Sequence, residues 1–83
     1  MLSIEQEILK IITERLGLDD KDVTKDSSLT RDLNASQLEI TDLILALQEK
    51  FHIKIPEEEL GDLDKVGNII NYISEHFDEP SAL

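Results

Sequence analysis

Several residues in this 83-residue chain have types and spacings that invite chemistry. Asp20, Asp22 and Asp26 crowd one polar stretch, as calcium ligands would. An EF-hand loop also needs a glycine at its sixth position and a glutamate at its twelfth. Counted from Asp20, those positions hold Lys25 and Arg31, so the motif fails and only weak divalent binding to an acidic surface is left. The two histidines, His52 and His76, complete no Ser/His/Asp constellation and read as surface or edge residues. The glycines, at positions 17, 61 and 67, form no phosphate-cradling loop. Paired carboxylate catalysis needs a cleft that drives two pKa values apart, and the acids here fall on predicted solvent faces and in loops. The most structured signal is Ser36 followed by Glu39, an S-x-x-E capping box that sets a hydroxyl at the entrance of a helix.

Four helical segments are expected to position these residues. The first opens at Ser3, with Gln6 three residues on, carries Ile4, Ile8, Ile11 and Ile12 at helical spacing, and stops at Gly17. Residues 18 to 35 form a long polar connection pinned by Val23, Leu29 and Leu33; connections of this length are uncommon in small domains and often functional. The second helix, begun by Ser36, has an apolar arc wide enough to predict burial on more than one side. His52 to Ile55 read as a short extended link, Pro56 as the first position of a short third helix, and Glu57, Glu58 and Glu59 suit its positive end. Asp64 is placed to cap a fourth helix with Val66, Ile69, Ile70 and Ile73 as its apolar stripe.

Nineteen acids against eight bases give a net charge of -11. Nucleic-acid binding, which runs on Lys and Arg, is disfavoured, as is an anionic membrane surface. A basic partner protein is the natural complement. Cysteine is absent, so there is no disulfide, thiolate nucleophile or Cys-ligated zinc. No apolar run reaches the ~20 residues of a bilayer span, and the sequence starting Met1-Leu2-Ser3-Ile4-Glu5 has no basic stretch typical of a secretory leader. These features predict a cytoplasmic monomer.

The block DLNASQLEITDLILALQEKFHIKIPEEEL, with VGNIINYI downstream, resembles the acyl carrier protein family over nearly the whole chain. Asp32, Leu33, Ala35, Leu38, Leu43, Ala46, Leu47, Glu49, Phe51, Ile53, Ile55, Pro56, Glu58, Glu59, Val66, Ile70, Tyr72 and Ile73 fall into the family register without a gap. The resemblance implies an all-α, acyl-carrier-protein-like four-helix bundle with a long first loop and a short third helix. Residues 1–77 would form this domain and residues 78–83 a disordered tail. It implies a carrier, not an enzyme, that holds acyl or biosynthetic intermediates of fatty acid and lipid metabolism on 4′-phosphopantetheine.

One departure falls where the family carries its arm. The family's D-S-L reads Ser36-Gln37-Leu38, so the serine register holds Gln37, which cannot form the phosphodiester, and the family's preceding glycine is Asn34. Three readings stand. Ser36 is a displaced cofactor-binding site at a helix N-terminus, where a phosphate is favoured; or it is only the N-cap; or a slip of the loop brings it into the usual place. The resemblance further places Leu38, Glu39, Asp42, Leu45 and Glu49 on a docking helix extended by Glu57 and Glu58. That surface would meet basic patches of acyl-transfer or synthase enzymes and of a phosphopantetheinyl transferase. Leu43, Leu47, Phe51, Ile55, Leu60 and Ile70 would line an acyl chain or simply form the core. The alternative function is an interaction module of the same fold that has lost the arm.

Overall fold

The computed structural model describes residues 3–77; the tail expected at 78–83 lies outside them. Helix α1 runs Ile4–Leu16, α2 Gln37–Phe51, α3 Glu57–Leu60 and α4 Val66–His76, and a single 3-10 turn, Asp20–Asp22, sits in the long loop. The order and the lengths match the expected bundle, with no strand among the described residues.

Local signals set both ends of α1. The Ser3 hydroxyl accepts from the Gln6 N–H at 3.1 Å and the Gln6 side chain accepts from the Ser3 N–H at 3.0 Å. Gly17 ends the helix at φ +67°, where a Cβ would be strained, and donates its N–H to the Thr13 carbonyl. Ile8 and Ile12 of α1 then meet Leu43 and Leu47 of α2 and Ile69 and Ile73 of α4 in a core with no solvent exposure at these six. Phe51 and Phe77 close one end edge to face, 5.4 Å between ring centres.

The long loop is pinned as expected: Val23 and Leu29 are buried and Leu33 packs partly on the core. Its second attachment is polar. The Val66 N–H donates to the Ser27 carbonyl (3.0 Å), the Gly67 N–H to that of Lys25 (2.8 Å) and the Leu29 N–H to that of Asp64 (2.8 Å). Gly67 permits this approach, since a Cβ there would stand 3.0 Å from the Lys25 oxygen.

Four expectations need correction. Asp64 does not cap α4; Lys65 holds the cap position, and loop carbonyls satisfy the first N–H groups in place of a side chain. Pro56 is the cap residue of α3, one position earlier than expected, with Glu57 opening the helix. His52 is not extended: at φ 54° it ends α2 in the left-handed region and donates to the Gln48 carbonyl, because the last turn's carbonyls need donors. The wide apolar arc of α2 is not all buried. Leu43, Ile44, Leu47 and Phe51 are, whereas Leu38 and Leu45 are 79% and 54% exposed, on the side turned away from the core.

Candidate site at the entrance of helix α2

The site is assembled from the loop upward. Asn34 adopts φ 54°, a conformation that glycine and asparagine take at least cost, so asparagine can stand where the family pattern has glycine. Ala35 is buried and donates its N–H to the Leu29 carbonyl at 2.7 Å. Leu29 in turn hangs on Asp64. The carboxylate of Asp64 accepts from the Ser28 hydroxyl and from the Thr30 N–H (3.2 Å) and hydroxyl (3.0 Å). Donation from Ser28, foremost, holds the Asp64 carboxyl below its ordinary pKa; burial opposes this, and the Thr30 donors and the Arg31 charge add to it. The start of α4 therefore fixes where α2 begins.

Ser36 stands at the N-cap of α2, φ -78° and ψ 166°, with Gln37 the first helical residue. Its hydroxyl accepts from the Glu39 N–H at 3.1 Å, and Glu39 accepts the Ser36 N–H at 2.8 Å. Both side chains are exposed. Thr41 is the next hydroxyl along the helix and donates to the Gln37 carbonyl at 3.0 Å.

Along α2, Leu38, Asp42, Leu45 and Glu49 fall within one narrow stripe at 100° per residue, and all four are exposed. Glu57 and Glu58 are exposed at the start of α3. Glu39 belongs to this face by sequence, yet its carboxylate is turned back into the cap. Sequence reasoning missed Arg15, which reaches across from α1 to Asp42 at 3.4 Å, and the Asp64 anchor; neither has a local signature. Of the six core candidates, Leu43, Leu47, Phe51, Ile55 and Ile70 are buried and Leu60 is partly so.

This arrangement is an exposed hydroxyl at a helix entrance beside an acidic stripe with two exposed leucines. A family model describing the phosphopantetheine attachment site matches residues 6–73. The chain is 44% identical over 75 residues to the acyl carrier protein of Chlamydia trachomatis serovar L2, covering 90% of this chain and 97% of that one. It is 43% identical to that of Chlamydia caviae over 87% of this chain and 94% of the relative. The acyl carrier protein of Clostridium acetobutylicum is 39% identical over 89% and 96%. The chain belongs to the acyl carrier protein family. Its role is that of a carrier, its family's prosthetic group is 4′-phosphopantetheine and the family process is fatty acid biosynthesis. Family members are carriers and not catalysts. Such a group needs an ester oxygen: the amide of Gln37 offers none, while the exposed hydroxyl of Ser36 fits. Among the described residues no helix is long and apolar enough to cross a membrane.

Proposed function

We propose that this acyl carrier protein family member bears its arm on Ser36 and presents the α2 stripe, with Glu57 and Glu58, to basic surfaces of synthase, acyl-transfer and phosphopantetheinyl transferase enzymes. The observation that carries the assignment is the exposed Ser36 hydroxyl at the N-terminus of α2, beside a first helical residue that has no hydroxyl. The bound group would supply a terminal thiol that holds an acyl chain as a thioester. The chain's own contribution is to present the attachment oxygen. The loop, tied at Ala35 and Leu29, holds Ser36 at the helix mouth, where the dipole favours a phosphate. The Glu39 carboxylate holds the Ser36 N–H at the same helix end, so a phosphate on the hydroxyl would meet a like charge there. Size and charge suit a cytoplasmic monomer.

The test is intact mass after incubation with a broad-specificity phosphopantetheinyl transferase and coenzyme A. One arm is expected on the natural chain and none on Ser36→Ala. Ser36→Ala is also expected to lose about 1 kcal/mol of stability with the cap, still leaving a folded protein on which a missing arm is interpretable. Failure to load, while an ordinary carrier loads in the same tube, would overturn the assignment in favour of a non-carrying interaction module. Gln37→Ser then separates a missing hydroxyl from failed recognition, since it restores the family's serine.

A further inference from the structure

The structure assigns Arg15 a role in partner selection: it is an internal counter-ion on the docking face, which competes with a basic partner for Asp42. This rests on the docking reading above and goes beyond it. Arg15 lies in the last turn of α1. Its guanidinium reaches to 3.4 Å from the Asp42 carboxylate, and both side chains are half-exposed. Arg15, Asp42, Leu45 and Glu49 line one open groove of about 420 Å³ between the helices. Arg15 and Glu49 also line a second groove of about 330 Å³, with Glu14 and Lys50.

The stripe therefore does not present two equivalent acids. Asp42 is already paired, whereas Glu49, Glu57 and Glu58 take part in no ion pair among the described residues. A cation that approaches Glu49 meets an open carboxylate. One that approaches Asp42 must displace a guanidinium and leave it facing a surface of its own sign, an arrangement that disfavours association. Selection by a repulsive element of this kind lets one acidic face reject some basic surfaces and accept others. The partner class it disfavours is one whose positive charge lies opposite Asp42; the class it favours concentrates that charge opposite Glu49 and α3.

The experiment measures binding of the full chain to a broad-specificity phosphopantetheinyl transferase, without coenzyme A, at low and moderate salt. The variants are Arg15→Gln, Asp42→Asn, their double variant and Glu49→Gln. Lys21→Gln removes the same charge from the exposed loop as a control. Arg15→Gln is expected to tighten binding about two- to fivefold, the range of one exposed ion pair, and more than Lys21→Gln. The gain should be larger with Asp42 present than with Asn there, which is the coupling a double-mutant cycle reads. Equal gains in both backgrounds, or a gain no greater than that of Lys21→Gln, would overturn the role of Arg15. If Glu49→Gln and Asp42→Asn both leave affinity unchanged in every background, or no variant binds, the docking reading itself falls, and this assignment with it.

Discussion

Asp64→Asn isolates the anchor that sets the position of Ser36. The substitution keeps the side-chain shape and removes the charge. Asp64 accepts three hydrogen bonds, from the Ser28 hydroxyl and from the N–H and hydroxyl of Thr30. Bonds to a charged acceptor contribute about 1.5–3 kcal/mol where water is excluded. Thr30 is exposed, so its two bonds count for much less, and a net loss of about 1–2 kcal/mol is expected at pH 7. An opposing effect must be screened out. The variant removes one negative charge from a chain of net charge -11, which relieves repulsion by itself, so the comparison belongs at moderate salt, where the Debye length is about 8 Å. The assay is urea unfolding followed by circular dichroism across pH. The folded-state pKa of Asp64 is depressed, so its stabilising effect is fully present above the unfolded value near 3.8 and is lost as pH falls through the lower folded value. The gap between the natural chain and Asp64→Asn should therefore be constant from pH 7 down to about 5 and shrink below about 4. A gap that does not change with pH, or a variant as stable as the natural chain at pH 7, would refute the reasoning. Hydrogen exchange offers a second reading: the Ala35 amide, bonded to Leu29, should lose protection in the variant while α1 amides keep theirs.

Two further substitutions probe the frame around the site. His52→Gly removes a Cβ from a left-handed residue at φ 54°; the relief of about 1–2 kcal/mol exceeds glycine's entropic cost, so the thermal midpoint should rise, and a fall would show that the His52 side chain stabilises the α2 terminus. Leu47→Ala opens a cavity at a fully buried position and should cost about 2–5 kcal/mol in urea unfolding, a large share of the stability of so small a domain; a loss below ~1 kcal/mol would mean that the core around α2 collapses to fill the space.

The parts of the fold that could be read from the sequence are those whose causes lie within one helical turn. Ser3 with Gln6 and Ser36 with Glu39 mark helix entrances because each pair satisfies its own N–H groups. Gly17 marks an exit for the same local reason. The apolar spacing of α1 and α4 gave the core directly. What escaped was set at long range. Asp64 looks like a cap beside α4, but its partners lie 34 and 36 residues away, and they draw it away from that role. Lys65 can stand at the cap position because loop carbonyls arrive to do the capping. Arg15 meets Asp42 across 27 residues. The arc of α2 was ambiguous for another reason: a leucine facing a core and a leucine facing outward look the same in a hydrophobic pattern, and packing agrees with the family resemblance in leaving Leu38 and Leu45 outside.

The tie between the long loop and the start of α4 also sets an order of assembly. Helix α2 owns its capping box and can begin to form from its own residues. The direction in which it sets out from the loop depends on bonds that residues 64, 66 and 67 make with 25, 27, 28, 29 and 30, and closing so long a loop carries an entropic cost before those bonds form. On the ribosome, a nascent chain that has emerged only as far as α3 would therefore have the Ser36 hydroxyl without a fixed platform beneath it. The entrance of α2 takes its final position only when the last helix docks, so on the proposed reading of Ser36 completion of the fold would be a checkpoint on when an arm can be received.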